Sequence, residues 1–321
     1  MGLRVPQHGG SNVLEVTEIE VAQPGPGQLL VEVEAAGVNF VDVYLREGIY
    51  QSPLPHIVGR EGAGTVIEIG SGVTGFATGE RVAWATAPGS AAGLVLVDAD
   101  SAAAVPDAVA SDVAAAAMLQ GMTAHYLVNA TYAVQPGDWA LVHAAAGGVG
   151  QLLVQMIRER GGHVIATVST AAKAAKVSEL GADYVLNYVE EPAVAAKVRD
   201  LAGGGVAVVY DGVGKATFDS SLASLKPRGM LALFGGSSGQ VPPFDLQRLN
   251  HGGSLFLTRP VLDHYLLTPQ EFRQRSGAVL GALANATLKI EIGGRYPLVE
   301  AARAYDDLEN RRTTGKLLLI P

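Results

Sequence analysis

The stretch Ala140-Leu-Val-His-Ala-Ala-Ala-Gly-Gly-Val-Gly-Gln-Leu-Leu-Val-Gln-Met-Ile157 decides how this 321-residue chain is read. It opens as a short apolar run, the mark of a buried parallel strand. It then passes through a glycine turn, Ala145-x-Gly147-x-x-Gly150. Beyond the turn, Val149, Leu152, Leu153, Met156 and Ile157 recur at helical spacing. Strand, glycine turn and helix in that order is the context in which a glycine pattern reads as a dinucleotide site. Gly147 lets the backbone come close to a pyrophosphate, and Gly150 lets the helix pack tightly on the strand. The helix N-terminus offers N–H groups and a positive dipole end to the phosphates. Ala145 stands where the usual fingerprint has its first glycine. The competing reading is an ordinary strand-to-helix turn, which the flanking pattern disfavours.

The neighbouring sequence repeats the alternation. Strands are predicted at 139–144, 163–168, 184–187, 206–210 and 229–234. Helices are predicted at 149–160, 171–180, 192–201 and 215–225. Such alternation implies a doubly wound parallel sheet with right-handed crossovers. Upstream, 112–119 and 122–128 read as two helices joined at Gly121. Downstream, Ser254 to Leu257 reads as a strand, and Thr268 to Ala286 as a long helix capped by Thr268, with Pro269 in its first turn.

Residues 1–115 have a different texture. Leu29-Leu-Val-Glu-Val-Glu-Ala-Ala36 alternates apolar and acidic side chains, as a half-buried strand does. Gly64 to Gly70 and Arg81 to Trp84 read as further strands, and dense glycines from 59 to 79 suggest a small, strongly curved sheet. Asn39 to Arg46 is the one helical segment here. The tail returns to strand at Leu288 to Ile292 and Lys316 to Ile320. The expected organisation is α/β: a Rossmann nucleotide domain over 119–262, and a discontinuous β-rich domain built from 1–118 and 263–321.

Composition narrows the chemistry. The chain has no cysteine, which removes disulfides, thiolate nucleophiles and cysteine-zinc sites. His8, His56, His125, His143, His163, His251 and His264 never fall in ligand-like pairs, so no metal site is expected. A net charge of −8 argues against nucleic-acid binding. No apolar run reaches the ~18 residues of a membrane span. The N-terminal residues lack the plan of a signal peptide, so the cytoplasm is the expected location.

The nucleotide type is read about twenty residues past the turn, where an acidic side chain would bind the ribose 2′-hydroxyl of NAD. Ser169 and Thr170 stand there instead, with Lys173 close behind and no carboxylate. A hydroxyl pair and a cation suit the 2′-phosphate of NADP. The alternative for Lys173 is an ordinary exposed residue on a first helical turn.

These motifs together resemble a family. Gly37-Val-Asn-Phe-Val-Asp-Val-Tyr44, Gly59-Arg-Glu-Gly-Ala-Gly64, Gly79-Glu-Arg-Val82, His143-Ala-Ala-Ala-Gly-Gly-Val-Gly150, Val208-Val-Tyr-Asp-Gly-Val-Gly214, Phe234-Gly-Gly-Ser-Ser238 and Thr314-Gly-Lys316 run from end to end of the chain. It is similar to zinc-free medium-chain dehydrogenase/reductases, in particular the NADPH:quinone oxidoreductase (zeta-crystallin-like) group. Asn39 and Arg60 stand where zinc-dependent relatives place Cys and His. The resemblance implies that the β-rich domain is GroES-like and catalytic.

The resemblance also implies roles. Asn39 would lie near the nicotinamide and its ribose, Thr123 at the nicotinamide end, and Tyr44 and Tyr50 along the substrate cleft. Gly147, Gly148, Val149 and Gly150 would cradle the pyrophosphate. Lys173, Tyr188 and Ser169 would hold the 2′-phosphate and adenosine end, and Phe234, Gly235 and Ser237 would border the ribose and nicotinamide. Arg311 matches an arginine that closes over the cofactor, and a homodimer through edge strands near Ser254 to Leu257 is implied. Departures include Gly89-Ser-Ala-Ala-Gly93, where relatives carry Gly-x-Tyr-Ala-Glu; the loss suggests a wider pocket or a different substrate. Gly212 and Gly236 replace a common serine and a common asparagine, and the first strand is expected to be trimmed.

The implied chemistry is direct hydride transfer from NADPH to a quinone. Tyr50, then Tyr44, is the candidate proton donor; the alternative is that both shape the pocket and water supplies the proton. An NADPH-dependent enone or enoyl-thioester reductase is the second reading, with Arg46 and Arg259 as the candidate cations for a CoA or carrier arm. A non-enzymatic, crystallin-like NADPH-binding or RNA-binding role is the third.

Overall fold

The computed structural model describes residues 1–321. The chain divides into two compact units, one formed by Met1–Met122 with Tyr265–Pro321, the other by Thr123–His264.

The second unit is a six-stranded parallel sheet. Its strand order is Tyr184–Asn187, His163–Val168, Trp139–Val142, Val206–Asp211, Leu225–Leu233 and Phe256–Thr258. The central strands are buried on both faces, which is why they read as continuous Val/Ala/Leu runs rather than as alternations. The chain works outward from Trp139–Val142 in one direction and then restarts at Val206–Asp211 on its other side. That reversal is the switch point at which open α/β sheets bind ligands. The predicted strands and helices recur within a few residues, and the fold class is the α/β, Rossmann-type one expected.

The first unit is β-rich. A seven-stranded sheet runs Ile292–Pro297, Lys316–Ile320, Gln28–Gly37, Gly62–Ile69, Arg81–Trp84 and Ala102–Ala104, with Leu94–Asp98 also paired to Gln28–Gly37. In Gln28–Gly37, Glu32 and Glu34 point to solvent between buried Val31, Val33 and Ala35, as their alternation requires. A three-stranded sheet places Gly2–Val5 between Glu15–Thr17 and His56–Ile57, so the first strand is short but fully paired. Leu3, Val31, Val66, Trp84, Val97 and Leu319 belong to one core cluster here.

Three expectations differ from the structure. Gly121 is not a joint: Ser111–Tyr126 is one helix, continued by a π turn at Leu127–Thr131. Its glycine serves packing, since a Cβ there would lie 2.7 Å from Val279 Cγ1. The penultimate strand is Ile292–Pro297 rather than 288–292. Gly293 is required there, because a Cβ would meet the Thr314 carbonyl oxygen at a prohibitive 1.9 Å. The segment 89–93 is packed into the first unit. Ser90, Ala91 and Ala92 are buried, and Ser90 Oγ accepts the Trp84 indole N–H at 2.8 Å while donating to Ala87 O at 2.6 Å. Arg46 is no surface cation: it is 1% exposed, and its guanidinium donates to Gly9 O and to Glu309 Oε1 at 2.8 Å.

Candidate functional site

In the second unit the site grows from the end of Trp139–Val142. Ala144 adopts a left-handed φ of 49°, which turns the chain out of the sheet. The helix Gly148–Glu159 then starts at Gly147, whose lack of a side chain leaves the N–H groups of the first turn without a cap. A Cβ on Gly150 would lie 2.5 Å from Ala144 O and 2.7 Å from Ala145 Cα, so the helix packs on the strand only because that residue is glycine. A backbone cradle with uncapped N–H groups fits a dinucleotide pyrophosphate.

The residues expected at the adenosine end lie at the end of the next strand. Thr170 caps the helix Ala171–Glu179 by accepting the Lys173 N–H at 3.2 Å. Ser169 and Lys173 are half-buried, and Tyr188 is 37% exposed, its N–H bonded to Val168 O at 3.1 Å. These four residues cluster around the end of His163–Val168, with no carboxylate among them.

A residue that sequence reasoning missed organises the other side of the switch point. Asp211 is fully buried. Its carboxylate accepts the N–H groups of Val213 and Gly214 and the hydroxyls of Thr217 and Ser221, at 2.7–3.0 Å. Its backbone carbonyl accepts the N–H of Phe234 at 2.9 Å and of Gly235 at 3.3 Å. One side chain therefore fixes the loop after its own strand, and the same backbone anchors the loop that carries Phe234, Gly235 and Ser237. Gly212 belongs to this arrangement: a Cβ there would lie 2.9 Å from the Phe234 ring, so the common serine would displace that ring. Gly236 has room for a side chain, and nothing in the structure explains its glycine. Thr123 is buried near the end of Ser111–Tyr126.

The first unit carries the tyrosines. Tyr44 lies on the helix Phe40–Arg46 and is 7% exposed, whereas Tyr50 is half-buried. Their rings meet edge to face at 5.2 Å, and Tyr50 N–H donates to Tyr44 O at 3.0 Å. The structure thus brings the two together, with Tyr50 the more accessible. Arg311 is exposed at the corner after Ala301–Glu309, in a left-handed conformation of φ 58°.

Asn39 is committed to the protein interior. Its Nδ2 donates to Gly37 O and to Glu61 Oε2 at 2.9 Å, and its Oδ1 accepts from Lys316 Nζ at 2.7 Å. Lys316 and Glu61 are 1% and 0% exposed and pair at 2.5 Å. Gly37 makes room for them, since a Cβ would lie 2.2 Å from Glu61 Oε2. Glu61 and Lys316 sit inside quoted motifs, Gly59–Gly64 and Thr314–Lys316, but no spacing rule joins residues so far apart. No group of three or more His, Cys, Asp or Glu side chains converges anywhere in the chain. Where zinc-dependent relatives would place a ligand, Asn39 already receives an ammonium, so this donor set does not suit zinc.

A nucleotide-binding parallel sheet joined to a discontinuous β-rich unit defines a medium-chain dehydrogenase/reductase. The family profile "Alcohol dehydrogenase GroES-like domain" matches residues 25–136, and "Zinc-binding dehydrogenase" matches 148–274. Quinone oxidoreductase 1 of Escherichia coli (strain K12) is 41% identical over 320 residues, covering 98% of each chain. A 2-haloacrylate reductase of Burkholderia sp is 41% identical over 331 residues, covering 100% of this chain and 99% of the relative. A mycobacterial protein solved in complex with NADPH is 49% identical with a TM-score of 0.97, covering 100% of this chain and 99% of that one. The chain belongs to the quinone oxidoreductase family of the medium-chain dehydrogenase/reductase superfamily. No helix is long and apolar enough to cross a membrane.

Proposed function

We propose that this chain is an NADPH-dependent quinone reductase that transfers a hydride directly to the quinone, with neither metal nor flavin, and that it works as a cytoplasmic homodimer. The observation that carries the reading is full-length kinship with the Escherichia coli quinone oxidoreductase. The cofactor half is supported by the uncapped glycine turn, by a following loop of Ser169, Thr170 and Lys173 without a carboxylate, and by the NADPH held in the mycobacterial relative.

When bound, NADPH supplies the hydride and its electron pair. The protein's part is to bind, orient and exclude water. Gly147, Gly148, Val149 and Gly150 take the pyrophosphate. Ser169, Lys173 and Tyr188 take the 2′-phosphate and adenosine end. Thr123, Phe234, Gly235, Ser237 and Asn39 serve the ribose and nicotinamide end, Asn39 with the one Oδ1 lone pair its internal bonds leave, and Arg311 closes over the cofactor. The quinone gains a hydride and a proton to become the hydroquinone. Tyr50 is the residue proposed to donate a hydrogen bond to the developing oxyanion, with Tyr44 behind it. Dimerisation is proposed through the outer edge of Phe256–Thr258, the last strand of the parallel sheet, where Phe256 is 56% exposed.

A second reading, reduction of an alkene conjugated to a carbonyl group, is favoured by the 2-haloacrylate reductase relative. Burial of Arg46 removes one of the two cations that a CoA or carrier arm would need, so small acrylates suit this reading better than thioesters. The test is NADPH oxidation against ortho-quinones, para-quinones, enones, haloacrylates and crotonyl-CoA. Turnover of quinones above the rest supports the proposal, and turnover confined to the alkenes overturns it. Tyr50→Phe should lower kcat about 10²- to 10⁴-fold, the contribution of a positioned proton donor. Full turnover of several quinones by that variant would leave the proton to water.

A further inference from the structure

His143 is a buried titratable side chain at the switch point that the proposed function leaves without a task. It follows Trp139–Val142 directly, is 3% exposed, and its N–H donates to Tyr210 O at 3.1 Å. Its Nδ1 lies 2.9 Å from Thr167 Oγ1, and its Nε2 is buried with no hydrogen-bond partner. Burial lowers its pKa, against the opposing pull of Asp211 on the adjacent strand, so the ring is neutral. The proton belongs on Nδ1, because Nε2 is then a bare lone pair rather than a buried N–H without an acceptor.

The partner residue gives this bond its meaning. Thr167 is 1% exposed and stands near the end of His163–Val168. Its carbonyl accepts the Ala145 N–H at 3.1 Å, so His143 and Ala145 both fasten the entrance of the glycine turn to this one residue. Two residues later the same strand delivers Ser169 and then Thr170, the cap of the helix that carries Lys173. Val168 between them holds the Tyr188 N–H. Thr167 is therefore the point at which the pyrophosphate turn and the 2′-phosphate loop are tied together.

We infer that the His143 Nδ1–Thr167 Oγ1 bond is a specificity-determining contact, which holds the pyrophosphate turn and the 2′-phosphate loop in register for a dinucleotide that engages both. It rests on the NADPH reading above. His143 is a positioning residue that acts through Thr167 and the loop beyond it. NADH engages the turn but has no 2′-phosphate for Ser169 and Lys173, so losing the register costs it little. NADPH spans both elements and bears the full cost.

The experiment is a set of dissociation constants for NADPH and for NADH, from nicotinamide fluorescence on binding, with melting temperatures alongside. The proteins are wild type, His143→Leu, His143→Asn, Thr167→Val and His143→Leu/Thr167→Val. Loss of one hydrogen bond should raise the NADPH constant about tenfold in His143→Leu and Thr167→Val and the NADH constant about twofold or less. The double variant should match the singles, because both remove one contact. His143→Asn, whose amide reaches toward the Nδ1 position, should recover part of the preference. Thr167→Val keeps the side-chain shape and carries the test if His143→Leu fails to fold. Equal weakening of both nucleotides, an unchanged ratio in Thr167→Val, or additive effects in the double variant would each overturn the inference. Wild-type protein without preference for NADPH would overturn the cofactor reading itself, and the inference with it.

Discussion

Asp42 shows how much of this molecule is decided by single side chains. It lies on Phe40–Arg46 and is 3% exposed. Its Oδ2 accepts the Asn39 N–H at 2.9 Å and the Tyr305 hydroxyl at 3.0 Å, while Oδ1 has no partner. Burial pushes its pKa up to about 6; the bonds from Tyr305 and Asn39 and the charge of Lys316 pull the other way without prevailing. A carboxyl whose pKa rises on folding holds its proton more tightly in the folded chain. Its contribution to stability is complete below about pH 4 and disappears as pH climbs through about 6, a swing of roughly 3 kcal/mol. Asp42→Asn cannot ionise, so its stability relative to wild type should improve by about that amount between pH 4 and pH 8. The comparison cancels every other titrating group. Urea unfolding at several pH values reads it, with Trp84 in the first unit as the reporter in a Trp139→Phe background. Parallel curves for the two proteins would show that Asp42 does not titrate on folding. The motif Gly37–Tyr44 contains Asp42, but nothing in the sequence points to its burial or to its bond with Tyr305. The Asn39 position drew notice through family resemblance, but Asp42 and Tyr305 are 263 residues apart, and hydrogen bonds at that separation follow no spacing rule.

At the scale of elements, the sequence was most legible where a period governs it. The βα alternation of the second unit appears because buried parallel strands read as apolar runs and their covering helices as 3.6-residue patterns. Legibility failed where glycine serves packing rather than turning. Gly121 reads as a break and is instead a close contact with Val279, and Gly293, just past the strand expected at 288–292, allows Ile292–Pro297 to approach Thr314. The glycine turn itself separates the two uses. A methyl at Gly150 would press on the backbone of Ala144 and Ala145, whereas one at Gly147 would meet only Ala144 O, at 3.2 Å. Gly150→Ala should therefore lower the melting temperature by several degrees, in line with the ~1–3 kcal/mol of an overpacked site. Gly147→Ala should melt near wild type yet bind NADPH more weakly, since its methyl would stand on the face offered to the pyrophosphate. Thermal scans with and without NADPH separate the two effects. Equal melting temperatures for both variants would refute the packing role of Gly150.

The whole molecule depends on a chain that leaves its first unit and comes back. The returning strand Lys316–Ile320 enters the sheet between Ile292–Pro297 and Gln28–Gly37, pairing Leu318 with Gly37 and Leu319 with Ala36. It also brings Lys316 to Glu61, 255 residues earlier. The closing apolar run was visible in the sequence; the ion pair at its head was not, because a lysine opening a strand ordinarily stands in solvent. Glu61 is held by Lys316, by Asn39 Nδ2 and by the Leu119 N–H at 2.6 Å, with no water-exposed surface of its own. Removing the ammonium leaves a buried anion with neutral donors only. Lys316→Met should destabilise the first unit by about 3–5 kcal/mol, the cost of breaking a buried pair from one side. Glu61→Gln alone leaves the ammonium facing Asn39 Oδ1 and should also destabilise. Combining the two removes both charges together, so the double variant should recover more than half of the loss seen in Lys316→Met. Urea unfolding followed through Trp84 reads all three. If the two losses simply add, Lys316 and Glu61 do not depend on each other, and the return of the tail would be held by its strand pairing alone.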